Sequence, residues 1–276
     1  MLHHLPLRQW LTACAILLVA FFLLKREYSL IPQGLSRAVF CDVGQGDSIL
    51  LTSPSGRHIL IDGGPDLSAL RCLGKSLPFF SHTIDLLVLT HPDDDHVTAL
   101  AEVLRRYPVK QVLLTGVQNP SGPAESFFAE LAKQKIPVMH PELQSTIDFG
   151  DGLTLDVLWP DIQHLSTETN ETSVVLRARG TSGSILLTGD LPENGEARLL
   201  ATGQDVQANI LKIGHHGSKT STTEGFLKAV QPATAVICVG KQNKFGHPAP
   251  ATLERLRSEN VQVRTTAEEG AVGYGF

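Results

Sequence analysis

The sequence is poor in cysteine, in positive charge and in long apolar runs, and each shortage excludes something. Its four cysteines, Cys14, Cys41, Cys72 and Cys238, are widely scattered and form no CxxC pair. That excludes a zinc ribbon and argues against a disulfide framework, so all four are expected as small buried hydrophobes. A net charge of −5 argues against a dedicated nucleic-acid-binding domain, which carries a basic surface. Residues 205–264 are a local exception, with eight Lys and Arg against four Asp and Glu. They read equally as a basic rim or as a solvated face. Internal repeats and low-complexity segments are absent. One apolar run stands out, residues 11–24, but its fourteen uncharged positions fall short of the roughly 20 that cross a bilayer. Trp10 and a snorkelling Arg8 can extend the span. No A-x-A-like site follows the run, because Lys25-Arg26-Glu27 comes directly after it, and the lipoprotein-like Leu11-Thr12-Ala13-Cys14 begins it instead of following it. An uncleaved anchor over residues 1–28, with about 9–26 in the membrane, is therefore expected ahead of a core helix or a signal peptide.

What is present fits one large α/β domain or two small ones: 276 residues, 42% hydrophobic and 18% charged. Pro32 and Gly34 mark residues 29–36 as a linker, leaving 37–276 as the folded part. The densest chemistry lies in His91-Pro92-Asp93-Asp94-Asp95-His96, at the end of the apolar run 85–90. Such a run reads as a buried strand, and loops at strand ends are where a rigid sheet presents reactive groups. Three carboxylates held this close repel one another unless a cation neutralises them, and the flanking histidines add nitrogen ligands. A capped helix start before residues 97–106 would explain one or two acids, but not three acids and two histidines.

Five segments in order resemble the metallo-β-lactamase superfamily, and within it the C-terminal domain of ComEC/Rec2 DNA-uptake proteins. They are Asp42-Val43-Gly44-Gln45-Gly46-Asp47-Ser48, the hexapeptide, Leu187-Thr188-Gly189-Asp190, Leu211-Lys212-Ile213-Gly214-His215-His216-Gly217-Ser218-Lys219, and Gly246-His247-Pro248. The hexapeptide stands where the superfamily has HxHxDH, with Asp93 in place of the second histidine. The resemblance implies an αββα sandwich preceded by a single transmembrane helix, where strand and helix alternation by itself gives only α/β.

It also implies two divalent ions. His91 and Asp93 would hold the first, Asp95, His96 and His215 the second, and Asp190 would bridge them. Alternation along a strand turns His215 and His216 to opposite sides, and the resemblance favours His215 as the ligand. Asp62, in Asp62-Gly63-Gly64, would orient the ligand loop; His216, Asn170 and Asp42 are further supporting or alternative ligands. No histidine lies between His164 and His215 to complete the first site, and Asn170 or Thr172 takes that position. An oxygen-rich first site favours Mn²⁺ over Zn²⁺. Catalysis is assigned to Asp95, Lys219 and His247, and substrate contacts to Gln45, Asn243 and Lys244. His3, His4, His58, His82, His140 and His164 belong to no matching motif and are read as structural or exposed.

The function this implies is a membrane-anchored dinuclear hydrolase of phosphodiesters, a DNA nuclease linked to uptake, acting on single- or double-stranded DNA. It would be a single-pass, monomeric membrane protein with its domain leaning extracytoplasmic, and other uptake machinery would be its partner. A phosphorylcholine-ester or other small-ester hydrolase is one alternative. A non-catalytic docking domain of an uptake channel is another.

Overall fold

The structure, a computed structural model, describes residues 7–276. His3 and His4 and the side chain of His164 therefore lie outside the described residues. Helix α1 (Leu7–Leu30) is followed by β1 (Arg37–Phe40), β2 (Ile49–Thr52), β3 (His58–Ile61) and α2 (Ser68–Ser76). Next come β4 (Leu86–Val88), the short α3 (Asp94–Val97), α4 (Leu100–Arg106), β5 (Val112–Leu113), α5 (Gly122–Gln134) and β6 (Val138–Met139). The second half holds β7 (Thr146–Asp148), β8 (Thr154–Trp159), β9 (Val175–Arg179), β10 (Ser184–Leu187), α6 (Glu193–Ala201), β11 (Ile210–Lys212) and α7 (Glu224–Val230). It closes with β12 (Thr234–Ile237), α8 (Pro250–Ser258), β13 (Gln262–Thr265), α9 (Thr266–Glu269) and β14 (Val272–Gly275).

The strands make two seven-stranded sheets, ordered β14-β1-β2-β3-β4-β5-β6 and β13-β12-β11-β10-β9-β8-β7. Each buries one face against the other. Phe40, Ile49, Leu51, Ile59, Ile61 and Val88 from one sheet meet Leu155, Leu176, Ile185, Leu187 and Val236 from the other. The outer faces are covered by helices, with Leu73, Leu100, Val103 and Phe127 on one side and Leu199, Phe226, Leu227 and Leu256 on the other. This is the αββα sandwich. Its last strand returns to the first sheet, β14 pairing antiparallel with β1.

Two expectations are corrected here. The helix α1 runs to Leu30 and takes up the first residues assigned to the linker. More importantly, Cys41 and Cys72 form a disulfide, with Cα atoms 5.8 Å apart across 31 residues. It ties the end of β1 to α2. A spacing that long carries no local signature, which is why scattered cysteines read as mere hydrophobes. Cys238 is the buried hydrophobe expected, while Cys14 is exposed on α1.

α1 is long and apolar enough to cross a membrane, and none of its apolar window is buried against the rest of the chain. Two of the unassigned histidines serve the scaffold: the ring of His58 meets the carbonyl oxygen of Ser81 at 3.1 Å and that of His140 meets the carbonyl oxygen of Leu114 at 2.9 Å.

Candidate metal centre

The hexapeptide leaves β4 at the edge of the inter-sheet core, and the carboxylate that holds it is Asp62, at the end of β3. Asp62 is fully buried. It accepts hydrogen bonds from the Thr90 N–H (2.8 Å) and hydroxyl (2.7 Å) and from Nδ1 of His96 (2.8 Å). With Nδ1 protonated, the His96 Nε2 lone pair is turned away from Asp62 and toward Asp190, 3.3 Å off. A carboxylate behind a histidine is the usual way to fix a ligand's tautomer. The Asp42-Val43-Gly44-Gln45-Gly46-Asp47 loop closes over the same turn. A Cβ on Gly46 would sit 2.2 Å from the Asp95 carbonyl oxygen, so only glycine permits that approach.

From the other sheet, Asp190 follows β10 and is held by its N–H donating to the Ser173 hydroxyl at 3.0 Å. The turn after β11 delivers His216. Its Nδ1 donates to the Cys238 carbonyl at 2.8 Å, and Nε2 lies 3.3 Å from carboxylate oxygens of both Asp95 and Asp190. Asp95, His96, Asp190 and His216 thus offer ligand atoms that all lie within 4.8 Å of one another. His91, buried beside His96 with ring centroids 4.2 Å apart, has its Nε2 3.7 Å from Asp93.

The fit to divalent ions rests on the unpaired atoms. The Nε2 atoms of His91, His96 and His216 are all buried without a hydrogen-bond partner. Buried nitrogens of that kind are costly unless something takes their lone pairs. Three converging on carboxylates is the donor set of a metal centre, with mixed nitrogen and oxygen ligands.

Charge balance points the same way. Burial raises the pKa of Asp190, but His216, His96 and Lys212 outweigh it and hold the group well below the carboxylate range. Burial lowers the pKa of His216, yet Asp190 and Asp95 bring it up to about 9. His96 is likewise raised well above its ordinary value by Asp190 and Asp62, against its burial. Protons and metal ions therefore compete for the same nitrogens. Below pH 9 a metal must displace the His216 proton, so affinity is expected to rise about tenfold per pH unit for each proton released. Titrating metal affinity from pH 6 to 9 with a chelator-buffered ion checks this; a flat profile would remove His216 from the ligand set.

The structure reorders several assignments. His215 was the expected ligand, but its ring is about a third exposed and its Nε2 is 3.8 Å from Asp190, while His216 occupies the buried position. Strand alternation failed because the pair lies in a turn with φ of 49° and 53°, not in a strand. Asp42 is exposed and only accepts from the Gly44 N–H at 3.3 Å; the acid of that motif that reaches the centre is Asp47. Asn243 uses its whole amide on the loop, donating to Gly240 and His247 carbonyls (2.9 and 2.7 Å) and accepting from Phe245 and His247 N–H groups (3.2 and 3.0 Å). It shapes the loop and has nothing left for substrate. Gln45 accepts from the Gly240 N–H at 3.4 Å, joining that loop to the first sheet. Lys219, assigned to catalysis, is exposed, as are Lys244 and the non-ligand Asp94. Asn170 has a buried Oδ1 with no hydrogen bond. Asp93 is partly buried and accepts from Asn119 at 3.2 Å. His247 packs on His215, ring centroids 5.8 Å apart.

Two residues escaped sequence reasoning. Lys212 is wholly buried; its ammonium pairs with Asp47 and donates to the Gly189 carbonyl at 2.8 Å, with Asp190 at 3.4 Å. The signal was there, a lysine in the apolar strand Ile210-Leu211-Lys212-Ile213. Ser173, which positions Asp190 and lies 3.4 Å from His91 Nδ1, had no comparable signal.

With this geometry in hand, comparison with known proteins identifies the class. Residues 41–241 match the metallo-beta-lactamase superfamily, and the chain belongs to it; members are generally metal-dependent hydrolases. Among curated relatives, it is 31% identical over 254 residues to ComE operon protein 3 of Bacillus subtilis, covering 85% of this chain and 32% of that one. It is 30% identical over 274 residues to competence protein ComA of Neisseria gonorrhoeae, covering 99% and 36%. The chain thus spans about a third of the length of these relatives. Zn(2+)-bound PqqB from Methylobacterium extorquens shares the fold, with a TM-score of 0.57 at 13% identity over 88% of this chain and all of that one.

Proposed function

We propose that the chain is a membrane-anchored, dinuclear metal-dependent phosphodiesterase that degrades DNA during uptake. The observation that carries this reading is the convergence of the unpartnered Nε2 atoms of His96 and His216 on Asp95 and Asp190, with the unpartnered Nε2 of His91 beside Asp93. His91 with Asp93 would hold one ion and Asp95, His96 and His216 the other, with Asp190 between them; the oxygen-rich first site favours Mn²⁺. When bound, such ions supply an activated water and neutralise charge developing on phosphate.

The chain's own residues do the rest. Burial and the neighbouring His215 lower the pKa of His247, so its protonated form gives up a proton readily to a leaving oxygen. Lys219 and Lys244, both exposed, gather a polyanion by charge. Phe245 is 61% exposed and stacks on His247 at 5.9 Å and 26°, offering a flat face to a nucleobase. The competence relatives support the DNA assignment.

Two observations support the proposed localisation. The apolar α1 supports a single-pass anchor, and the Cys41–Cys72 disulfide supports an oxidising, extracytoplasmic setting for the domain.

The test is a comparison of substrates. Lys219→Ala should raise KM for DNA by roughly five- to tenfold and reduce its salt dependence, since an exposed phosphate contact is screened. Phe245→Ala should weaken single-stranded DNA by about tenfold. A neutral p-nitrophenyl ester should be insensitive to both. Equal losses on ester and DNA would overturn the nuclease assignment in favour of a small-ester hydrolase.

A further inference from the structure

The most exposed aromatic side chains in the described chain are Phe79 and Phe80, at 73% and 86%. They lie side by side, ring centroids 5.0 Å apart, in the turn after α2. Leaving two adjacent phenyl rings in water is costly for a soluble domain. Their location relative to α1 gives the reason. The Phe79 N–H donates to the Glu27 carboxylate at 2.7 Å, and Arg26 donates to the carbonyls of Gly74 and Lys75 at 2.9 and 3.3 Å. This turn is therefore clamped to α1 three residues beyond the end of the apolar run at Leu24, a rise of about 4.5 Å along the helix.

The run itself is short. The fourteen uncharged residues 11–24 cover about 21 Å of helix, against a hydrocarbon core of roughly 30 Å. A bilayer holding α1 must reach over the residues flanking the run, and on this side those include the turn that carries Phe79 and Phe80. Aromatic rings are favoured at that depth. Lys25, Arg26 and Lys75, all exposed beside them, suit anionic headgroups. A cleft lined by Ile31, Pro32, Pro78 and Phe80 continues the apolar surface.

We propose that Phe79 and Phe80 insert into the lipid interface as a second membrane contact. The turn would sit at the interfacial end of α1, where the uncharged stretch stops, and hold the domain close against the membrane in one orientation. This rests on the reading of α1 as an anchor and is independent of the catalytic assignment.

The full chain, reconstituted in vesicles of phosphatidylcholine and phosphatidylglycerol, carries its own control. Trp10, near the other end of α1, reports the anchor, and Trp159, buried in the protein, gives a constant background. In a Trp10→Phe/Phe80→Trp variant, lipids brominated near the headgroup end of the acyl chain should quench the new signal about twofold, with a blue-shifted emission. Quenching of Trp10 in the parent without quenching at position 80 would overturn the proposal and leave the anchor standing. Quenching at neither would overturn both.

Discussion

Asp190→Asn is expected to abolish turnover, by a factor of roughly a thousand or more, equivalent to about 4 kcal/mol in the barrier. Asp190 lies 3.3 Å from both His96 Nε2 and His216 Nε2, so its carboxylate stands between the metal-facing nitrogens of histidines from the two sheets. The amide keeps the shape but replaces one anionic oxygen with a donor that repels a cation. Binding of both ions should weaken together. In the protein without added metal, the carboxylate's depressed pKa contributes stability above its unfolded value of about 4, lost as pH falls toward the folded value. The variant should therefore be somewhat less stable at neutral pH, and its secondary structure by circular dichroism must be checked beside its metal content. Wild-type turnover in Asp190→Asn would remove the bridging role.

Lys212→Met is expected to have the largest effect on stability. The ammonium is wholly buried, and although burial opposes its charge, Asp47 and Asp190 raise its pKa. Methionine fills a similar volume but leaves the carboxylate of Asp47 buried without its cation. Breaking a buried pair from one side costs about 3–5 kcal/mol, which is roughly 6–20 °C in Tm for a domain of this size. The double variant Lys212→Met/Asp47→Leu should recover much of that loss, because no unpaired charge remains. Thermal melts of the single and double variants decide it; if the double variant is no better than the single, the pair is not coupled.

This Lys212–Asp47 pair also marks where the sequence stops being legible. Its members come from opposite sheets, 165 positions apart by their numbers, and nothing local in either announces the other. Residues whose chemistry is local read well: the acids and histidines between 91 and 96 stand out from their apolar strand, and Asp62 follows from the strand before a Gly-Gly turn. The αββα layers were legible only through family resemblance. The choice between His215 and His216 depended on backbone conformation, since two consecutive left-handed residues undo the alternation rule. Within the first motif, Asp42 and Asp47 are equally acidic on paper. Only the fold shows that Asp42 caps its own turn while Asp47 faces Lys212. The Cys41–Cys72 bond was hidden for the same reason: it joins a strand end to a helix through tertiary packing.

The proposed phosphodiesterase activity depends on bound divalent ions. Its most direct test is to strip the purified full chain of metal, in detergent, and restore Mn²⁺ or Zn²⁺ while following cleavage of single-stranded DNA and of a p-nitrophenyl phosphodiester. Both substrates should be untouched by the stripped protein, cleaved when an ion is restored, and left uncleaved by Asp190→Asn under every ion tried. Cleavage that survives metal removal, or no cleavage with any ion, would contradict it.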